Sequence, residues 1–251
     1  MAEQPETSVP QSYKEQGDNV ALIAGTASGQ AVAYPATLML RTYYSSYHLW
    51  AAEHFTALAA GIEALPGAVP RFDIQHRAYV TSTIFSSVAF MEAAINEIFK
   101  DAADSQGEFI APIDAGSRKM FKAFWDLAED QNRSRFSALE KYQIALTFCR
   151  KDQFSNNYLG YQDAKLVIQL RNELMHYKPE SFGGDVRHRF EKKLKHKFPE
   201  NQLMSGSGNP YFPDKCLGSG CAEWAVKASK AFVDEFCAKL GISLNYQQVK
   251  F

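Results

Sequence analysis

The 251 residues of the chain are enough for one large domain, or for one domain with extensions. Hydrophobic residues make up 46% of it, which supports a substantial core and excludes a wholly disordered chain. The net charge of −1 gives no global attraction to nucleic acid, so contact with a polyanion must come from a local patch. The sequence has neither an apolar run of about 18 residues nor a secretory start, so we expect a cytoplasmic protein with no membrane partner.

The N-terminal part of the chain divides at residue 19. Residues 1–19 are polar and contain prolines, which predicts disorder, and residues 20–70 form an N-terminal extension. Within the extension, 20–33 is either a short strand pair or an extended arm, and 35–65 is a helix or a helix pair. His48 and His54 lie about 240° apart on that helix, so satisfied core or surface histidines are a better interpretation than a metal site.

The rest of the chain is predicted to be helical. Residues 71–241 form a helical bundle and residues 242–251 a C-terminal tail. The expected helices span 71–103, 117–130 with Ser117 as its cap, 137–151, 158–177, 185–201 with Asp185 as its cap, and 221–240. Because no segment shows regular strand alternation, the predicted fold is all-α.

The stretch Arg171–Pro179 closes the most informative of these helices. An apolar stripe leads into it at helical spacing, formed by Leu166, Leu170 and Leu174. Pro179 stops the helix, so we expect it to end at Tyr177 or Lys178, with His176 in its last turn. Asn172 and His176 share one face and Arg171 lies about 100° round, which predicts an amide, an imidazole and a guanidinium together near the helix end.

This pattern resembles the signature of HEPN domains, a family of small α-helical bundles. The family's mark is an arginine, usually followed by a polar residue, and then a histidine near the end of a helix. The same spacing occurs at Arg41, Arg71 and Arg189. Only the Arg171 copy also has an asparagine after the arginine, a leucine-striped helix before it and a proline stop behind it.

A second stretch strengthens the resemblance, which covers residues 71–241. Residues 83–100 carry an apolar helical stripe, formed by Ile84, Val88, Met91, Ile95 and Ile98, with Glu92 and Asn96 on a neighbouring face. HEPN bundles commonly pack such an early helix against the motif helix. The resemblance therefore implies that Glu92 and Asn96 support the site by holding Arg171 in place.

The resemblance implies a metal-independent endoribonuclease that acts as a homodimer, as a toxin or an antiphage defence component with an antitoxin as a further partner. Arg171 and His176 are the implied catalytic residues, and Asn172 orients the imidazole or a phosphate oxygen. We expect the RNA substrate to contact Tyr177, Lys178, Arg187 and Lys192. The alternative is a non-catalytic HEPN-like module that senses nucleotides or binds a protein.

Without the resemblance, the same residues also fit purely structural roles. Arg171 and His176 can cap helix carbonyls and pair with acids such as Glu173. Residues 185–201 hold six Lys or Arg against three acids, which favours either steering of a phosphate backbone or simply a solvated amphipathic helix.

The four cysteines indicate a reduced protein, because they show no C-x-x-C spacing. Cys216 and Cys221 fit half a zinc site, but no second pair of ligands is visible. We predict no metal and no cofactor.

Overall fold

The computed structural model describes residues 41–130, 136–179 and 188–247, without the side chains of 128–130. Within these ranges the chain forms helices and no strand, so the predicted all-α fold is confirmed. The α-helices are α1 (Tyr44–Ala64), α2 (Ile74–Asp104), α3 (Ala115–Asp130), α4 (Ala138–Phe148), α5 (Leu159–Met175), α6 (Arg189–Leu194) and α7 (Ser219–Leu240). The predicted disorder of 1–19 and the predicted arm at 20–33 lie outside the described residues.

Helix α2 is the centre of the bundle and packs against α1, α3, α4, α5 and α7. The apolar stripe predicted on it is buried throughout, from Ile84 to Ile98. Burying such side chains contributes about 1.5–3 kcal/mol each, which makes α2 the main hydrophobic support of the fold. By length and composition α2 could also cross a bilayer, but half of its most apolar window is buried in the bundle, and core helices meet the same criteria.

Helices α1 and α2 run antiparallel, and polar contacts fix their register. The Glu97 carboxylate accepts hydrogen bonds from Ser45 N (2.8 Å) and Ser45 Oγ (2.6 Å) and so caps the start of α1. Farther along, Thr83 Oγ1 of α2 donates to Ala52 O of α1 at 3.4 Å. Between these two contacts, His48 of α1 comes within electrostatic reach of Glu92 of α2.

Tyr142 of α4 joins α2 to α7 at the core. Its ring meets Phe232 and Phe236 edge-on, with centroids 4.8 and 4.7 Å away. Its hydroxyl donates to Met91 O at 2.8 Å, so the one polar atom of this buried side chain is satisfied. This contact holds α4, and with it Lys141, in a fixed position beside α2.

Two predicted helix starts are wrong in detail. Asp114, not Ser117, caps α3, because its Oδ1 accepts from Gly116 N (2.9 Å) and Ser117 N (3.0 Å). Ser117 is instead buried, and its hydroxyl lies 2.6 Å from Asp114 Oδ2 and 2.8 Å from Phe148 O of α4, either of which can accept its one proton. Helix α6 is much shorter than the predicted 185–201 and begins after His188, whereas Asp185 lies outside the described residues.

Residues on both sides of the boundaries expected at 70 and 241 contribute to the same hydrophobic core. Helix α1, from the predicted extension, buries Leu49, Ala52 and Ala59 in the same core as α2 and α7. The predicted tail also belongs to that core, since Ile242 and Tyr246 are buried. The described residues between 41 and 247 therefore share one core, and this core positions the site.

Candidate active site at the end of helix α5

Arg171 leaves α5 towards α2 and forms an ion pair with Glu92. Its Nη2 donates to Glu92 Oε1 at 2.7 Å, and the two side chains are 22% and 44% exposed. The sequence expected Glu92 to hold Arg171, and the structure places the two residues in direct contact. This single charged hydrogen bond holds Nη2 against α2 and leaves Nη1 without a carboxylate partner.

The remaining atoms of the Arg171 guanidinium have weak partners or none. Its Nη1 lies 3.6 Å from the Sδ atom of Met175, and a thioether is only a weak acceptor. Its Nε is buried and finds no acceptor within the described part of the chain, at a cost of about 1–3 kcal/mol. The Nη1 edge is therefore where a phosphate oxygen can replace the sulfur and gain a charged hydrogen bond.

His176 lies past the end of α5, which stops at Met175, earlier than predicted. His176 is the C-terminal cap, with φ −111° and ψ 30°, and its backbone N–H donates to Asn172 O at 3.0 Å. The side chains of Asn172 and His176 are both exposed and lie on the solvent side of α5. The imidazole is thus open to a ligand or to a second protein chain.

The predicted grouping of Arg171 with His176 is only partly correct. The two residues are five apart, which turns their side chains about 140° from each other around the helix. Arg171 is directed to α2, whereas His176 and Asn172 face solvent, and the described contacts include none between Arg171 and His176. Within the described chain, this guanidinium and this imidazole therefore do not form a preassembled pair.

Asn96 supports a different cation from the one expected. Its Oδ1 accepts from Lys141 Nζ of α4 at 2.8 Å. Burial lowers the pKa of Lys141, although the nearby Glu92 carboxylate raises it. Glu92, Asn96 and Lys141 together line a cavity of about 300 Å³ beside Ser137, at the start of α4. The polar wall of that cavity was not predicted from the sequence.

His48 of α1 is a third basic group around Glu92. Burial lowers the pKa of His48, and the negative charge of Glu92 raises it. The sequence treated His48 as a core or surface residue. His48 lies near Glu92 because of the register of α1 against α2, and a pattern within one helix cannot predict that register. Only a weak pattern indicated Lys141, which lies next to Tyr142 on a short helix with a clear apolar face.

Among the predicted substrate-binding residues that the structure describes, no contact joins Tyr177, Lys178 and Lys192. Tyr177 is 42% exposed, with its ring centroid 6.5 Å from that of Phe212. Lys178 and Lys192 are exposed, but Lys178 follows α5 and Lys192 belongs to α6. Arg187 lies outside the described residues. Of this set, Tyr177 and Lys178 stand next to His176 in the chain.

The basic segment at α6 is more neutralised than its composition suggests. Arg189 forms an ion pair with Glu173 of α5. His188 is only 7% exposed, stacks on Phe212 with centroids 4.4 Å apart, and lies 3.6 Å from the same Glu173. Two of the basic residues therefore dock α6 on α5 instead of facing a ligand.

A buried Ser, Glu and His group near the start of α7 is structural. Glu63 Oε2 accepts from Ser219 Oγ at 2.7 Å, and Glu63 Oε1 lies 2.7 Å from His76 Nε2 and accepts from Ser219 N. Ser219 therefore donates to a carboxylate and not to a histidine, so no base activates its hydroxyl. The carboxylate instead caps α7 and joins it to α1 and α2.

Within the described residues, the cysteine, histidine and carboxylate side chains form no metal centre. Cys216 and Cys221 are both free and buried. Within the described ranges, no three His, Cys, Asp or Glu side chains lie close enough together to hold a metal ion. The chemistry of the α5 end is that of an arginine, a lysine and histidines.

No protein-family model, no curated protein and no solved structure matches this chain.

Proposed function

We propose that this protein is an endoribonuclease of the HEPN type, which cleaves RNA by attack of the 2′-hydroxyl without a metal. The observation that carries the proposal is the 2.7 Å contact between Arg171 and Glu92. The two residues are 79 positions apart, on the two helices that the HEPN resemblance had selected independently. A resemblance based on spacing alone would not require that these two side chains meet.

Arg171 would stabilise the reacting phosphate. Attack by the 2′-oxygen on phosphorus makes a crowded, doubly negative phosphorane, and a fixed guanidinium is suited to hold its oxygens. Glu92 orients the guanidinium, and Met175 occupies its free edge only weakly. Lys141, which lines the same cavity as the Glu92 carboxylate, supplies a second positive charge.

His176 would transfer the protons. A base removes the proton of the 2′-hydroxyl, and an acid protonates the 5′-oxygen as the P–O5′ bond breaks, which leaves a 2′,3′-cyclic phosphate and a 5′-hydroxyl. A histidine can serve in either role near neutral pH. Because His176 points away from Arg171 of its own chain, we propose a homodimer in which a second copy completes the site across a two-fold axis.

Cleavage of a mixed RNA pool in the presence of EDTA tests this proposal. We expect the wild type to cut and both Arg171→Ala and His176→Ala to lose about 100-fold or more in rate. His54→Ala, an exposed histidine on α1, is the matched control and should keep full activity. Equal behaviour of all four proteins would contradict the enzyme proposal.

The dimeric site has its own test. Co-expression of Arg171→Ala with His176→Ala chains yields mixed dimers in which one of the two shared sites keeps both residues. Recovery of activity in the mixture supports a site shared between chains. If each variant is inactive and the mixture stays inactive, the catalytic pair belongs to one chain and the shared site is wrong.

The second candidate function is a non-catalytic nucleotide-sensing or protein-binding module on the same bundle. It is favoured by the ion pair of Arg171 and by the divergence of His176, which together give Arg171 a structural role. A role in toxin–antitoxin pairing or antiphage defence, in the cytoplasm, rests on the resemblance. Toxicity on expression that His176→Ala relieves would support the enzyme over the module.

A further inference from the structure

A groove of about 510 Å³ runs between α5 and α6, on the side of α5 that faces away from Arg171. Lysines and side-chain amides form most of its wall, namely Lys165, Gln162 and Gln169 from α5 and Lys193 and Lys197 from the α6 segment. Lysines and amides are the side chains that bind phosphate and sugar oxygens. None of these lysines was selected from the sequence as a substrate contact.

The charge of the groove is positive even after its internal contacts are counted. Asp163 is the one carboxylate in its lining and accepts from Lys197 Nζ at 2.5 Å. Lys193 Nζ donates to the neutral Gln169 at 3.2 Å and keeps its charge uncompensated there. Lys165 is exposed and has no acceptor within the described part of the chain. Glu173, farther along α5, is already engaged by Arg189.

The groove is aligned with His176. Residues 162, 165, 169, 172 and 176 recur at three- and four-residue steps, so they follow one side of α5. At about 1.5 Å per residue, His176 lies only about 16 Å beyond Lys165 along the helix axis. The exposed Asn172 stands between the groove and the imidazole and adds a polar contact on the way.

We propose that this groove binds the phosphate backbone of single-stranded RNA and leads the strand to His176. The binding step depends only on the groove, whereas delivery to a reacting group rests on the proposed ribonuclease function. A single strand is the expected form, because attack by the 2′-oxygen in line with the leaving 5′-oxygen needs a backbone that can rotate. Contacts made through lysines and amides predict little dependence on base sequence.

Binding of a 5′-fluorescein oligouridylate with 2′-O-methyl sugars, measured by anisotropy, tests the groove. The methyl groups block the nucleophile, so the wild-type protein can be used without cleavage. In the triple variant Lys165→Gln, Lys193→Gln and Lys197→Gln we expect about 100-fold weaker binding at 0.1 M salt. The slope of log affinity against log salt should also fall by about 2, because three counterion-releasing contacts are lost.

Two comparisons separate the groove from general charge and from misfolding. The triple variant Lys119→Gln, Lys122→Gln and Lys227→Gln removes the same charge from α3 and α7 and should bind like the wild type. Asp163→Asn removes the negative charge of the groove and should bind the strand more tightly. A gain in affinity cannot come from loss of folding, so this second variant keeps the test informative.

Several results would overturn the groove. The proposal would fail if the wild type did not bind the strand at low salt. It would also fail if both triple variants lost the same affinity, or if Asp163→Asn bound the strand more weakly. A preference for an acidic protein or a duplex over the single strand, with the groove lysines unimportant for RNA, would also overturn it. If the groove variants lose binding while the wild type cuts no natural RNA, the groove stands and the ribonuclease proposal fails. If the wild type cuts RNA and the groove variants bind normally, the ribonuclease proposal stands and the groove proposal fails.

Discussion

If the proposed ribonuclease function is correct, replacing Glu92 with alanine should lower the rate of RNA cleavage without much effect on folding. The pair of Arg171 and Glu92 is partly open to solvent, with 22% and 44% of the side chains exposed. A pair screened in this way contributes on the order of 0.5 kcal/mol to stability. For a chain of this size we therefore expect Tm to fall by only about 1–2 °C.

The catalytic effect of Glu92→Ala should be much larger. Without the 2.7 Å contact, nothing fixes the plane of the guanidinium, and a misplacement of about 1 Å can cost on the order of 100-fold in rate. Removing the carboxylate also removes a negative charge near the phosphate, so KM should not rise. We expect kcat to fall about 10- to 100-fold with KM unchanged or lower.

A double-mutant cycle decides whether Glu92 acts through Arg171. Single-turnover cleavage would be measured for Glu92→Ala, Arg171→Ala and the double variant. If Glu92 only positions Arg171, the double variant should be no slower than Arg171→Ala alone. Losses that multiply, or a Glu92→Ala enzyme with full activity, would refute the positioning role. Glu223→Ala, which breaks an exposed ion pair with Lys227 on α7, is the matched control.

Two further predictions concern stability. Burial would raise the pKa of Glu63, but its hydrogen bonds together lower it below the ordinary value. Glu63 therefore stabilises the fold above the pKa it has in the unfolded chain, and this contribution is lost as pH falls through the folded pKa. Urea unfolding should show Glu63→Gln about 2 kcal/mol less stable than the wild type at pH 7, with the gap closing in acid, and a constant gap would contradict this. Gly218→Ala places a Cβ only 2.6 Å from Asn201 Cα and should cost about 1–3 kcal/mol. Gly61→Ala meets no atom within 4 Å and should stabilise by about 0.5–1 kcal/mol, so equal midpoints for the two alanine variants would be the contrary result.

Local patterns were sufficient to predict the main helices and the core stripe of α2. Helix α4 begins close to the predicted residue 137, where Ser137 and Glu140 form a capping box, and Pro179 follows α5 closely. The failures arose where a distant residue decides the outcome. The residues after α7 looked like a tail, yet Tyr246 packs edge-on against Phe90 at 4.9 Å.

The candidate site divides in the same way. The motif helix pointed to Arg171, and the stripe on α2 pointed to Glu92, because each signal lies within one helix. Lys141 and His48 were missed as neighbours of Glu92, since only the packing of α4 and α1 on α2 brings them there. The predicted end of the motif helix was also too late, because α5 stops at Met175 and His176 is its cap.

The chemical form of the RNA ends is the most direct test of the central claim that Arg171 and His176 cleave RNA through its 2′-hydroxyl. Mass spectrometry would be applied to the products of a defined single strand after incubation in EDTA. We expect 2′,3′-cyclic phosphates and 5′-hydroxyls from the wild type, about 100-fold slower formation of them by His176→Ala, and no products from the same strand with 2′-O-methyl sugars. Cleavage of the methylated strand, or equal products from His176→Ala, would contradict the central claim.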